Sequence, residues 1–440
     1  MEKYDPEQLS LETIVALAKR RGFIFPANEL YGGLAGFYDY GPLGSLLKNN
    51  IKQSWLNKFV HSRTDMHLLD AAIVMSAKPL TASGHVGGFS DPLVECEKCH
   101  KRFRADQLDS DSCPLCAGTF GPVRNFNLML STQVGAVEDS SATAYLRPET
   151  AQGIFVNYKN IIDTMSPKVP FGVAQIGKAY RNEITPRDFL FRQREFEQME
   201  IEFFVHPDTW NVHFEYWKDE MMEWMEEIGL AIDVVDPVEI APEDRAHYSS
   251  RTIDFEFTYP FGKKELFGLA YRGNYDLSQH AEHSKTKLQY TDPLTNETFV
   301  PHVIEPSFGL DRAILALLCS AYREEKTDDD VRVYLELPPH IAPYKIAVSP
   351  LLKNKPELVD QARSIFGKLK AQFGNVAWDD NGNIGKRYRR QDEIGTPFCV
   401  VIDFETLEGQ GVTVRERTTT TQERVALDDL ESYFAEKFSL

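Results

Sequence analysis

The sequence predicts an α+β protein with two main domains. The first is built on an antiparallel sheet and interrupted by a zinc-ribbon-like insertion, and the second is a smaller α/β unit. Three observations lead there. Residues 177–204 read as two long strands returning on each other. Cys96, Cys99, Cys113 and Cys116 follow a C-x2-C-x13-C-x2-C pattern. Beyond Pro338, Pro339 and Pro343 the strand and helix periods alternate as β-α-β-α-β.

The 440 residues allow two or three domains, and 42% apolar content is enough to build cores. No 18-residue apolar run is present, so no membrane-spanning helix is expected. The opening MEKYDPEQLS lacks the basic and apolar regions of a secretory signal, so a cytoplasmic location is expected. The net charge of −18 argues against a general nucleic-acid coat protein. Residues 341–440 carry only −1 of it. A nucleic-acid partner would have to be met by local basic patches, and such binding weakens with salt.

Taken in order, Leu11, Ile14, Val15 and Ala18 recur at helical spacing, with Gly22 as a stop. Leu43, Leu47, Ile51, Trp55 and Phe59 form one stripe of a helix over 43–60. The cysteine pairs each suit a short turn that offers two thiolates to one ion, so a closed structural zinc site over 91–122 is expected. Arg147-Pro148-Glu149-Thr150 opens a helix, where an early glutamate also complements the helix dipole. A long helix follows over 208–229, then strands over 251–259 and 264–272. Residues 301–322 read as a short strand ending at Gly309 and a buried helix. Arg312 in its first turn opposes the helix dipole, a conflict that a bound triphosphate would remove. Thr327-Asp328-Asp329-Asp330 and the prolines mark a boundary between domains at 1–335 and 341–440. In the second domain Lys386, Arg387, Arg389 and Arg390 surround Tyr388, which fits either RNA contact or a solvated helix face.

In the hairpin, Tyr180–Ile184 reads as the first strand and residues 190–204 as the second. Alternation places Arg192, Arg194, Phe196, Gln198 and Glu200 on one face. Alone, this fits a solvated, charge-studded strand as well as a platform for phosphates and a flat base. The wording, R-N-E followed by F-R-Q-R-E-F-E-Q-M-E, resembles motif 2 (about 175–204) of the class II aminoacyl-tRNA synthetases, in the form used by the glycyl enzymes. The likeness spans nearly the whole chain. Y-G-G-L-A-G-F-Y-D-Y-G resembles the start of motif 1 (about 31–85), residues 301–322 resemble motif 3, and the last domain resembles a class IIa anticodon-binding domain.

The resemblance implies ATP-dependent attachment of glycine to tRNA(Gly) through a glycyl-adenylate, with Mg2+, in a homodimer. It implies that Arg181 and Arg312 act on the reacting phosphate. ATP would be held by Arg181, Asn182 and Glu183 and by Phe191, Arg192, Gln193, Arg194, Glu195 and Phe196. Glu265 and Leu266 add a further contact, with Glu265 as the magnesium residue, and Gly309, Leu310, Asp311 and Arg312 complete the site. Glycine would be met by Arg104, Glu149, Phe196, Glu197, Gln198, Met199 and Glu200. Arg272 and the run Glu305, Pro306, Ser307, Phe308 and Gly309 complete that pocket. Lys386, Arg387, Arg389 and Arg390 would touch tRNA.

Three other readings stay open on sequence. A class II synthetase for threonine, proline or serine would share the ATP site, so the amino-acid pocket decides. A non-catalytic relative, such as the mitochondrial DNA polymerase accessory subunit, should have lost the ATP arginines, yet Arg181, Arg192 and Arg312 are present. A zinc-ribbon nucleic-acid module would bind tRNA without ATP-dependent activity.

Overall fold

Seven strands form the sheet on which the first domain is built. They are β1 (Met66–Leu68), β2 (Phe171–Tyr180), β3 (Glu195–Val205), β4 (Val235–Glu239), β5 (Arg251–Tyr259), β6 (Gly262–Gly273) and β7 (His302–Gly309). Their order is β4-β5-β6-β7-β3-β2-β1, antiparallel throughout except that β1 runs parallel to β2. The structure is a computed structural model and describes residues 4–108, 110–136, 142–326 and 330–438.

Alternation along the strands gives the sheet two distinct faces. On the apolar face, Met199 pairs with Phe308, which pairs in turn with Phe267. Three helices cover this row, α2 (Pro42–Leu56), α4 (Trp210–Glu227) and α6 (Leu310–Ala321), which share one buried core with it. Trp55, Phe59, Trp217 and Trp224 pack there, and Trp224 meets Phe308 edge-on at 5.2 Å. The expected α2 stripe is this contact, and α2 runs on into a wider turn over Asn57–His61. Helix α1 (Leu11–Arg21) is capped by Ser10 and stopped by Gly22 at φ 74°. Gly44 lies so close to the Phe23 carbonyl that a Cβ would stand 1.9 Å from it, so only glycine fits there. The polar face is roofed at the β2 end by α3 (Ala151–Met165) and α5 (Tyr275–Ser284), through Phe155, Tyr158, Phe171 and Phe204.

The hairpin pairs as expected, but its first strand is Phe171–Tyr180 rather than 180–184. Residues 181–194 form a loop. Pro186 has no N–H to give a ladder, and Asp188 and Phe189 take left-handed backbone at φ 59° and 55°. Strict alternation therefore starts only at Glu195, which removes Arg192 and Arg194 from the shared strand face.

The cysteine insertion has its own three-stranded sheet, with Ser90–Glu95 between Arg102–Arg104 and Arg124–Asn127. The second domain holds β8 (Ile346–Pro350), α7 (Pro356–Phe373), β9 (Val376–Trp378), α8 (Ile384–Glu393), β10 (Phe398–Ile402), β11 (Val412–Glu416), β12 (Gln422–Val425) and α9 (Leu430–Phe438). Its sheet order is β9-β8-β10-β11-β12, with the first three strands parallel. The acidic run at the expected boundary lies partly outside the described residues, at 327–329. The junction itself is packed. Arg332 reaches Asp392 at 2.9 Å, Arg21 reaches Glu393 at 2.7 Å, and Ile341 and Ile394 join the core of the first domain. Among the described residues no helix is long and apolar enough to cross a membrane.

Candidate active site

The polar face of the sheet opens into a cavity of about 510 Å³ lined by β3, β6, β7, the 181–194 loop and the start of α6. Its two ends differ in charge. At one end the register places Glu200 beside Ser307 and Ala270 beside Glu305. Glu149, just ahead of α3, completes this group, and all three glutamates are buried. Ser307 Oγ donates to Glu200 Oε1 at 3.0 Å, and Thr150 Oγ1 donates to Glu200 Oε2. Gln152 Nε2 donates to Glu149 Oε1 at 2.9 Å, and His85 Nε2 lies 3.3 Å from Glu149 Oε2. Arg272 holds Glu305 at 2.9 Å and Asp276 at 2.7 and 2.8 Å.

These surroundings separate the three acids. Burial disfavours a charge on Glu149, but His85, Arg272 and Gln152 outweigh it and hold its carboxyl well below the usual range. Burial and the Glu149 charge push the Glu200 carboxyl up, against Thr150, Arg272 and Ser307. Burial pushes Glu305 well up despite Arg272, with the Glu200 and Glu149 charges adding to it. The acidic end is thus short of positive charge, a setting that favours a cation.

The other end is basic. Arg181 donates from Nε to the Pro148 carbonyl at 3.1 Å and stacks 5.3 Å from the Phe196 ring centre. Arg312 Nη1 lies 3.0 Å from Glu265 Oε2, and its guanidinium sits 4.4 Å from the centre of the Phe191 ring. Glu265 thus offsets the conflict between Arg312 and the α6 dipole. Arg192 and Arg187 both donate to Gln107 Oε1 of the insertion, at 3.2 and 3.1 Å. Glu183 Oε2 is buried with no hydrogen-bond partner among the described residues, an acceptor open to an incoming donor. Glu265 is half-exposed on its side chain at the cavity and offers carboxylate oxygen, the donor type Mg2+ takes.

Most of the expected residues meet here. Arg104, Glu149, Arg181, Glu183, Phe191, Arg192, Gln193, Phe196, Gln198, Glu200, Glu265, Leu266, Glu305, Ser307, Gly309 and Arg312 line the cavity. Glu197 and Asp311 also border it, but the Glu197 carboxylate pairs with Lys48 at 2.7 Å and Asp311 accepts a hydrogen bond from the Tyr40 hydroxyl. Others stand apart. Met199, Phe308 and Leu310 belong to the apolar core behind the sheet, because alternation turns them away. Pro306 shares the strand parity of Phe308 and is absent from the lining. Arg194 folds back onto the carbonyls of Glu183 and Ala35, Glu195 pairs with Lys178 at 2.9 Å, and Asn182 bonds through its N–H to the Leu128 carbonyl. Arg272 lies behind the lining, 2% exposed, as a support for Glu305. Sequence reading missed His85, Gln152, Tyr248 and Asp276. The available signal was weak, a histidine among glycines in Ser-Gly-His-Val-Gly-Gly and a polar residue inside an apolar helix start.

The four cysteines converge. Cys96 Sγ lies 3.5 Å from Cys116 Sγ, and Cys99 Sγ lies 3.7 Å from Cys113 Sγ. A tetrahedron with Zn–S bonds of about 2.3 Å has edges of about 3.8 Å, so the thiols fit that ion. The residues after each second cysteine, His100 and Ala117, share φ 55°, so both turns have the same build. Backbone N–H groups of Cys99, then of Lys98, help bring the Cys96 thiol down to about 6.

On α8, Arg387 is 3% exposed and donates to the carbonyls of Pro350, Asp380 and Gly382. Its guanidinium is spent inside the domain, which corrects its assignment to tRNA. Arg390 is tied to Asp379 at 2.6 Å and Arg389 to Asp330 at 3.1 Å, while Lys386 is exposed.

Residues 136–322 match the family model for the tRNA synthetase class II core domain (G, H, P, S and T), and residues 345–437 match the anticodon binding domain. The chain is 49% identical to the glycine–tRNA ligase of Acetivibrio thermocellus, covering 98% of each chain. It is 49% identical to that of Alkaliphilus metalliredigens, over 97% of this chain and 98% of the relative. It is 50% identical to that of Borreliella afzelii, over 96% of each. Such identity across both domains, together with the two matching family models, places the chain in the glycine–tRNA ligase family of class II aminoacyl-tRNA synthetases.

Proposed function

We infer that this protein attaches glycine to tRNA at the expense of ATP, in two steps at one cavity. Glycine carboxylate attacks the ATP α-phosphorus and pyrophosphate leaves with its bonding electrons. The terminal adenosine 3′-hydroxyl of tRNA then takes the glycyl group and AMP leaves. The observation that carries this reading is the pairing of ends in one cavity, with Glu149, Glu200 and Glu305 at the first and Arg181, Arg192 and Arg312 at the second.

Glycine's ammonium is assigned to the acidic end, where Glu149 stays ionised. Arg181 then stands over the α-phosphate, where charge grows as the bond to oxygen forms. Phe196 offers a flat face to adenine and Glu183 an acceptor for its amino group. Arg192 and Arg312 take the outer phosphates, positions at which guanidinium forks bind bidentately. Mg2+ held at Glu265 would supply further neutralisation of the phosphates. Chemistry of this kind depends on positioning and charge neutralisation, so no protein nucleophile is assigned. Glycine is the smallest amino acid, so a pocket closed around its α-carbon excludes all competitors by size, and no editing site is required.

Zinc is assigned to the four cysteines as a structural ion. Lys386 and Arg389 are assigned to tRNA, with Arg390 and Arg387 supporting α8 from behind. A homodimer in the cytoplasm belongs to the same proposal. Leu30 and Tyr31, 89% and 87% exposed in the motif 1 region, support a covered surface there.

The test is ATP–pyrophosphate exchange with each of the twenty amino acids, without tRNA. Exchange with glycine alone is expected. Exchange with another amino acid would discard the pocket assignment and keep the class, and no exchange from folded protein would discard the activity.

A further inference from the structure

Glu202 is a buried acid in this region to which the reaction above gives no role. It is 0% exposed, and among the described residues neither carboxylate oxygen has a hydrogen-bond partner. The β3–β7 register pairs Glu200 with Ser307 and Phe203 with Ile304, which sets Glu202 directly across from Glu305 on the polar face. Single oxygens of Glu200, Glu202 and Glu305 all lie within 4.8 Å of one another. Like charges opposed across strands destabilise a sheet even at a surface, and burial strengthens the repulsion.

Every element around Glu202 has its charges in place. Glu200 is on its own strand, Glu305 on β7, Arg272 on β6, Asp276 at the head of α5 and Glu149 ahead of α3. On the β2 side it meets Val173. Arg272 is the one guanidinium of the group, and its donors go to Asp276 and Glu305. From α5, His280 bonds Gln152, which bonds Glu149 and Asp276. Among the described residues no cation or N–H hydrogen-bonds to Glu202. Carboxylate oxygens of Glu200 and Glu305 stand within 4.8 Å of it, and two carboxylates bond to each other only through a proton.

We propose that Glu202 is a neutral carboxylic acid that donates its proton to the Glu305 carboxylate, and that it is thereby a positioning residue for the ammonium site. The bond fixes the orientation of Glu305 and keeps one negative charge rather than two on this pair. No covalent change is involved, and the proton stays between the two carboxyls through the catalytic cycle. Burial and the neighbouring Glu305 charge push the Glu202 carboxyl well up, in the same direction. The functional part rests on the reading of Glu149, Glu200 and Glu305 as the ammonium site.

The experiment uses the full chain. Infrared difference spectra between wild type and Glu202→Gln, without substrates, report a protonated carboxyl by its carbonyl stretch. That band is expected in wild type and absent in the variant. Glutamine also donates to Glu305, so its glycine KM is expected within about twofold of wild type, whereas Glu202→Leu raises it about tenfold and leaves the ATP KM unchanged. No band in wild type overturns the proposal. So does a folded Glu202→Gln whose glycine KM rises tenfold, because Glu202 would then act as an ionised acceptor. Should Glu202→Leu fail to fold, the band and the glutamine variant still decide. Failure of the ammonium-site reading has a separate signature, a Glu149→Gln variant with wild-type glycine KM while the Glu202 band persists.

Discussion

His85 Nε2 stands 3.3 Å from Glu149 Oε2, with both side chains buried, and Ser83 Oγ lies 2.7 Å from the other ring nitrogen of His85. Glu149 is thus held on one oxygen by His85 and on the other by Gln152. An ammonium acceptor of this kind must be ionised and correctly turned before the substrate arrives.

His85→Ala is expected to raise the KM for glycine about tenfold or more in ATP–pyrophosphate exchange, since a hydrogen bond to a charged group contributes about 1.5–3 kcal/mol. The KM for ATP should stay near wild type, because the basic end is untouched. An unchanged glycine KM would remove His85 from the site.

Stability should also respond to pH through Asp254. Burial, with Glu265 and Glu256 nearby, pushes its carboxyl up to about 7 against the pull of Arg312. The folded protein then keeps a proton that the unfolded chain has released. This contribution is complete below about pH 4 and is lost as pH climbs through 7. Asp254→Asn is expected to lose that part of the slope, so its Tm falls less than that of wild type between pH 4 and 7. Parallel Tm profiles would contradict the shift.

Removing zinc should disturb binding before it disturbs the core. The insertion reaches the cavity through Arg104 and through Gln107, which holds Arg187 and Arg192. Trp55, Trp217 and Trp224 pack elsewhere, behind the sheet. Elemental analysis should find about one zinc per chain, and Cys99→Ser should lose it. The zinc-free protein is expected to keep its near-ultraviolet circular dichroism and show a raised KM for ATP. Purified protein without zinc under non-chelating conditions would refute the site.

Much of this architecture was legible from local signals. The Leu11–Arg21 helix, the Arg251–Tyr259 strand and the step from strand to helix at Gly309 lie where their periods and stop residues put them. The cysteine spacing was sufficient because two short turns leave four thiols few arrangements. The hairpin misled because its loop carries strand-like alternation, F-R-Q-R-E-F, with nothing local to mark where pairing stops. Arg387 misled for a related reason. A basic residue on an exposed-looking helix carries no sign that carbonyls of two separate segments enclose it.

By itself the sequence determined the order of elements, the two domains, the family and the chemical types gathered at the site, because periodicity, spacing and motif wording are local properties. Tertiary structure decided which charges face one another. Whether Glu149 meets His85, Arg272 meets Glu305 and Asp276, or Glu202 stands opposite Glu305 depends on strand register and on helices packed from distant parts of the chain. Electrostatic energy is set by distance and burial, and neither is written in the order of residues.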